Sequence, residues 1–231
     1  MNNYQDKWNS SYLNRDNFVF SPNEEVIRFV SKYIRKRISL NEYNNIIPSQ
    51  INPRILDLGC GIGRHVIYCH KLNLESYGID LSNEAIRVAI DWAEKENISD
   101  PSSKILQGDI RNLPWEEGFF NFAVSHGVLD SMPFEIARTA CIELSNKMVT
   151  GGYFYCDLIS GDDSNHAREY SGEEIVESDH EHGTVQLYFN LQKIYSLIGG
   201  VFKIVECILI RHEDVLIGGY FSRYHLVLEK I

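Results

Sequence analysis

The sequence predicts one α/β domain, with a mostly parallel sheet covered by helices on both faces. Three observations predict it. Apolar runs alternate with amphipathic helical repeats from about residue 54 onward, as in crossover-connected parallel strands. One apolar run, Ile55-Leu56-Asp57-Leu58, stops on glycines at alternate positions, Gly59, Gly61 and Gly63, and passes straight into a helical pattern. The length of 231 residues suits one domain with additions and is enough for a large core.

The elements follow in order. Residues 22–37 read as a helix, because Pro22 lies near the start and Val26, Phe29, Val30, Tyr33 and Ile34 recur at helical spacing. Residues 38–52 are rich in asparagine and read as a linker into the first sheet strand, 54–58. A helix is expected over 62–72 and a second strand over 76–79, leading to Asp80. Ser82 is placed to cap the next helix, whose inner face carries Ala85, Ile86, Ala89, Ile90 and Ala93. Residues 104–107 and 119–125 read as the third and fourth strands. Pro133 suits the first turn of a helix ending near Lys147, and 153–159 reads as the fifth strand. Residues 185–197 read as a helix stopped by Gly199-Gly200. Residues 201–210 and 220–228 read as two long antiparallel partners that close the sheet. The expected organisation is an arm and cap helix (1–50), a binding core (51–160), an acidic insertion or lid (161–183), and a C-terminal helix with closing strands (184–231).

Composition narrows the function. The net charge is −10, with no basic block, so a nucleic-acid partner is not expected. The opening residues are polar and lack a signal-peptide core, and no apolar run approaches a membrane span. A cytoplasmic location and no membrane partner are expected. Cys60, Cys69, Cys141, Cys156 and Cys207 are scattered and odd in number, which reads as reduced, mostly buried small hydrophobes. The sequence sets no oligomeric state.

The glycine turn is a ligand site of nucleotide type. A strand ending on glycines before a helix leaves backbone N–H groups unpaired and lets a ligand approach closely. Its spacing is not the dinucleotide G-x-G-x-x-G, since Arg64 occupies the third glycine position, and the Gly-Lys-Ser/Thr of a P-loop is missing. Asp57, two residues before the first glycine, fits poorly beside a pyrophosphate and better beside an ammonium group.

Asp57-Leu58-Gly59-Cys60-Gly61-Ile62-Gly63 resembles the first motif of class I S-adenosylmethionine-dependent methyltransferases. The similarity continues in order through Gly78-Ile79-Asp80-Leu81-Ser82, Gly108-Asp109-Ile110, Phe120 to His126, and Gly151-Gly152-Tyr153-Phe154. It covers residues 50–160 well and the rest loosely. The resemblance implies a Rossmann-like, doubly wound seven-stranded sheet, mostly parallel with an antiparallel C-terminal strand, and S-adenosylmethionine as cofactor. Asp80 would then accept from both ribose hydroxyls, with Leu81 beside it, while Gly108, Asp109 and Ile110 meet the adenine. Ser125 and His126 lie at the end of the fourth strand, close to the transferred methyl group. Cys60 lies within the cofactor turn, and Arg64 pairs either with the cofactor carboxylate or with a surface acid. An N-terminal segment with a tryptophan and tyrosines, here Trp8 and Tyr12, closes over the cofactor in similar enzymes. Each of these rings is otherwise a packing residue on an arm.

The reaction implied is methyl transfer to an oxygen or nitrogen of a small-molecule acceptor. His126 is the candidate general base, with a packing role as its alternative. Asp130 is a candidate to orient a substrate amine or hydroxyl. Residues 161–183 hold eight acids against one arginine, which reads as a solvated surface or as a lid that attracts a cation. His166, His180 and His182 lie among them without metal-ligand spacing, so no metal is expected. Neither Asn/Asp-Pro-Pro-Tyr nor Pro-Cys follows the fourth strand, which disfavours methylation of nucleic-acid bases. Two other readings remain: a catalytically silent S-adenosylmethionine-binding subunit, and use of the sulfonium for something other than methyl transfer.

Overall fold

The computed structural model describes residues 2–15, 17–40, 42–47, 52–178 and 181–231. Asn41 and residues 48–51 of the expected linker, and Asp179 and His180 of the acidic stretch, lie outside the described residues. The chain opens with helices α1 (Asn2–Leu13) and α2 (Glu24–Tyr33) and a small ribbon of β1 (Arg35–Arg37) and β2 (Tyr43–Asn45). The core follows as β3 (Arg54–Leu58), α3 (Arg64–Lys71), β4 (Glu75–Asp80), α4 (Asn83–Lys95), α5 (Pro101–Lys104), β5 (Ile105–Gln107), β6 (Phe120–Ser125), α6 (Phe134–Lys147) and β7 (Met148–Ile159). A second ribbon, β8 (Glu173–Ile175) and β9 (Val185–Leu187), precedes α7 (Leu191–Ile198), β10 (Phe202–Glu213) and β11 (Tyr220–Lys230).

The seven-stranded sheet has the order β10-β11-β7-β6-β3-β4-β5. The β3, β4, β5, β6 and β7 pairings are parallel, and β11 runs antiparallel to both β7 and β10. The chain steps outward from β3 through β4 to β5, then returns to lay β6 on the other side of β3. Strand order therefore reverses between β3 and β6, which is where an open α/β sheet binds its ligand. The glycine turn after β3 and the segment after β6 both open at this point.

Alternation along the strands explains burial on both faces. Leu56 and Leu58, with Phe154, Cys156 and Leu158, pack with Ala137, Ala140 and Leu144 of α6 and Ile194 and Leu197 of α7. Their neighbours Ile55, Phe122, Val124 and Tyr155 face Val26, Phe29 and Val30 of α2. The Ser82 side chain accepts from the Ala85 N–H at 3.2 Å, capping α4 as expected.

Three expectations need correction. The helix expected over 22–37 ends at Tyr33, and the expected linker folds back as a ribbon in which Arg35 pairs with Asn45 and Arg37 with Tyr43. The helix expected over 185–197 is a strand followed by a shorter helix. Val185 and Leu187 are buried while Gln186 is only half-buried, which is a strand's period of two. Asn190 then accepts from the Lys193 N–H at 2.8 Å and starts α7. Lys104, expected in the third strand, ends the short helix α5. Among the described residues, no helix is long and apolar enough to cross a membrane.

Candidate active site

Gly59, Gly61 and Gly63 all take positive φ, at +77°, +52° and +86°, a region that costs other residues strain. Gly59 and Cys60 donate their N–H groups to the Ile79 carbonyl, both at 2.9 Å. Asp80 completes the turn, since its Oδ2 accepts from the Gly61 N–H and its Oδ1 from the Ser82 N–H, both at 2.8 Å. Each carboxylate oxygen keeps a second lone pair, so two adjacent hydroxyls can still donate to it. Burial raises the Asp80 carboxyl to about 6, against the backbone N–H groups that favour its charged form. A Cβ on Gly61 would sit 2.5 Å from Tyr12 Oη, so helix α1 leaves only enough room there for glycine.

Asp57 is buried beside the turn, and its Oδ2 has no hydrogen-bond partner among the described residues. His65 Nδ1 stands 3.5 Å from that oxygen. His65 Nε2 accepts from the Asn23 N–H at 3.3 Å, which places the ring proton on Nδ1, toward Asp57. The turn's own N–H groups go to Ile79 and Asp80, not to Asp57. His65 thus faces the orphaned oxygen, and Asp57 stands behind the wall of the adjoining cavity rather than lining it.

A cavity of about 520 Å³ runs along these strand ends. Of the residues expected at the site, Trp8, Tyr12, Gly59, Cys60, Gly61 and Arg64 line it, as do Asp80, Leu81, Asp109, Ile110, His126 and Asp130. The others stand behind the wall. Gly63 starts α3 and packs against Ala89. The Gly108 N–H is taken by the Asp80 carbonyl at 2.9 Å. Ser125 is buried and donates to the Leu58 carbonyl at 3.1 Å, tying β6 to β3. The Cys60 thiol is buried, and burial raises it well above its ordinary value, so it packs rather than reacts. Asp109 is held by Arg111 at 2.5–3.1 Å, which lowers its carboxyl.

Helix α1 roofs the cavity through Tyr4, Trp8 and Tyr12. It is tied down on both sides: Ser82 Oγ donates to Asn9 Oδ1 at 2.8 Å, and Lys7 Nζ donates to the Gly183 carbonyl. The acidic stretch is largely built structure. Arg211 pairs with Asp162 at 2.8 Å, and His166 bridges Asp163 and Glu174 at 2.8 and 3.0 Å. Val176, Ser178 and Glu181 of this stretch form one cavity wall. No group of three His, Cys, Asp or Glu residues suited to a metal ion occurs among the described residues.

Five charged or ionisable side chains link the sheet ends on the far side. Arg64 Nη2 donates to His126 Nδ1 at 3.0 Å, leaving the ring proton on Nε2, 3.5 Å from Asp157 Oδ2. Asp157 also accepts from the Gly127 N–H and from Arg223 Nε, both at 2.8 Å. Arg223 Nη2 reaches Asp130 Oδ2 at 2.5 Å, which accepts from the Ile159 N–H at 2.8 Å as well. Burial, reinforced by Arg64 against the opposing pull of Asp157, lowers His126 to about 4. His126 is thus neutral at pH 7, and neither ring nitrogen offers a free lone pair while Arg64 holds Nδ1. Burial raises Asp130 to about 6, Arg223 opposing and Asp157 reinforcing. Burial pushes Asp157 the same way, but Arg223 and His126 outweigh it and hold it below the usual carboxylate range. Sequence reasoning placed Asp157 in the fifth strand but missed Arg223. The available signal was a lone arginine inside the run Tyr220-Phe221-Ser222-Arg223-Tyr224-His225-Leu226.

Residues 56–156 match a sequence family described as "Methyltransferase domain". A tRNA (carboxymethyluridine(34)-5-O)-methyltransferase from Arabidopsis thaliana is 32% identical over 102 residues, 43% of this chain. That stretch spans only 22% of the relative's own length. Among solved structures, a SAM-dependent methyltransferase from Methanosarcina mazei superposes with a TM-score of 0.63 at 19% identity, over 78% of this chain and 93% of that one. The PH0226 protein from Pyrococcus horikoshii OT3 gives 0.61 at 15% identity, over 100% of this chain and 96% of that one. These two likenesses are of fold.

Proposed function

We propose that this chain, whose residues 56–156 match a methyltransferase-domain family, is a class I S-adenosylmethionine-dependent methyltransferase that methylates an oxygen or nitrogen of a small-molecule acceptor. The supporting observation is a roofed cavity that joins the Asp80 turn to the Met132, Ile136 and Arg223 wall. Its 520 Å³ lies in the range of small-ligand sites. When bound, S-adenosylmethionine supplies a methyl group already activated on a positively charged sulfur. Asp80 would hold the ribose hydroxyls, the glycine turn would admit the cofactor's close approach, and Arg64 would meet its carboxylate end, with buried Asp57 acting on the ammonium end through its charge from behind the cavity wall. Leu81, Asp109 and Ile110 line the cavity and would meet the adenine. The protein's main task is then positioning, worth up to about 7–11 kcal/mol.

A second reading, a nucleic-acid acceptor, draws on the printed activity of the Arabidopsis relative. The net charge of −10 weighs against it, because phosphate backbones are gripped by lysine and arginine. The test is incubation of the protein with S-adenosylmethionine and either a metabolite extract or total tRNA, with products read by mass spectrometry. A methylated small molecule together with S-adenosylhomocysteine is expected. Methylated tRNA would move the assignment to the second reading. Cofactor binding without turnover would indicate a silent subunit, and a different cofactor breakdown product would indicate other chemistry.

Cofactor affinity should depend on pH through Asp80. Ribose hydroxyls donate to the ionised carboxylate, and Asp80 in the free protein holds its proton up to about pH 6. Binding must therefore expel a proton at lower pH. Affinity for S-adenosylhomocysteine is expected to rise between about pH 5 and 7 and then level off. Calorimetry across that range checks this, and a flat profile would remove Asp80 from the ribose role.

A further inference from the structure

We propose that the methyl acceptor is an amine and that Asp130 Oδ1 is the atom that receives it. The inference rests on the methyltransferase reading above and specifies its acceptor. Asp130 is only 1% exposed. Its Oδ2 is satisfied twice, by Arg223 and the Ile159 N–H, and its main-chain carbonyl accepts from the Leu187 N–H at 2.7 Å. The carboxylate is therefore fixed in place from the β7, β9 and β11 sides. Its Oδ1 has no partner among the described residues. A buried acceptor left without a donor is rare and unfavourable, and this one belongs to a side chain that lines the cavity.

The surroundings say what kind of donor fits. Met132, Ile136 and Ile159 are the apolar neighbours along the cavity, so the donor must arrive on the ligand. Two carboxylates, Asp130 and Asp157, share one guanidinium, that of Arg223, while His126 is neutral. Arg64 stands beyond the neutral His126 ring, so the two carboxylates have one guanidinium in direct contact and the surroundings of Asp130 are locally negative, in a buried site where charge interactions are strong. A carboxylate or phosphate would be repelled. A hydroxyl would supply the hydrogen bond but not the balancing charge, whereas an ammonium supplies both. The proton that the nitrogen must shed before its lone pair is free passes to the Asp130 carboxylate beside it, which gives it up to water only after the product has left the cavity that Asp130 lines.

The experiment uses protein saturated with S-adenosylhomocysteine and three probes of one shape: benzylamine, benzyl alcohol and benzoate. Calorimetry is expected to rank benzylamine above benzyl alcohol, with no benzoate binding. Asp130→Asn should weaken benzylamine roughly tenfold while S-adenosylhomocysteine affinity stays at the wild-type value, which also reports that the variant is folded. Benzoate binding as tightly as benzylamine, no benzylamine binding to the saturated protein, or unchanged benzylamine affinity in Asp130→Asn would each overturn the proposal. The wild-type ranking decides the matter even if the variant fails to fold. Failure of S-adenosylhomocysteine itself to bind would instead overturn the methyltransferase reading on which this one stands.

Discussion

Asp80→Ala is expected to weaken S-adenosylhomocysteine binding by at least about a hundredfold, because this carboxylate does two jobs. It holds the glycine turn through the Gly61 N–H and leads into α4 through the Ser82 N–H. It also lines the cavity, with one lone pair left on each oxygen. Hydrogen bonds to a charged group contribute about 1.5–3 kcal/mol each, so losing two ribose contacts and loosening the turn together exceeds two orders of magnitude. Asp80→Asn should fall between, since it keeps one acceptor oxygen. Gly61→Val should match the alanine variant by a different route. It forces a side chain into φ of +52° and into Tyr12 Oη, 2.5 Å from the new Cβ, so either the turn or the α1 roof must move. Calorimetry on the three variants is the measurement. Near-normal binding by Asp80→Ala would mean that the cofactor is held elsewhere.

The geometry of the glycine turn proposed to hold the cofactor is readable because local rules and tertiary structure agree there. Gly59, Gly61 and Gly63 were needed for positive φ, Ser82 for a cap, and Asp80 for a strand end, and each is visible within a few residues of chain. The wall proposed for the acceptor is not readable because it is made by long-range contacts. Asp130 meets Arg223 across 93 positions of sequence, and Asp157 meets it across 66. No local pattern announces that a strand in the C-terminal pair delivers an arginine between two acids. His126 shows the same limit. A histidine after the fourth strand reads as a base, but Arg64, contributed by α3, caps the nitrogen that would act. The misread segment at 185–197 has a different cause. Val185, Leu187 and Phe189 are apolar at period two, and the chain turns helical only after Asn190, so a single window averaged two elements into one.

Arg223→Met is expected to destabilise the protein by about 3–5 kcal/mol near pH 8, the range for breaking a buried ion pair from one side. The side chain it removes is the shared partner of two carboxylates that are each 1% exposed. Methionine fills comparable volume, so the loss is one of charge rather than of packing. The pH dependence identifies the cause. In the wild type, Asp157 lies below its ordinary value, so its contribution is present at neutral pH and is lost as pH falls through that low value. Asp130 is already raised to about 6, so its folded form binds a proton more readily than the unfolded chain, near 3.9. Its ionisation therefore works against stability above about pH 6. Without Arg223, burial raises both carboxyls further, and the folded variant takes up protons that the unfolded chain does not. By linkage, the variant must gain stability as pH is lowered from 8 toward 5, and the gap to wild type must narrow. Adding Asp130→Asn and Asp157→Asn to Arg223→Met removes both orphaned charges and should recover much of the loss at pH 8. Urea denaturation of the three proteins at the two pH values is the check. A gap that stays constant with pH would mean that Arg223 acts by packing, and that the negative charge beside Asp130 is not the property that selects the acceptor.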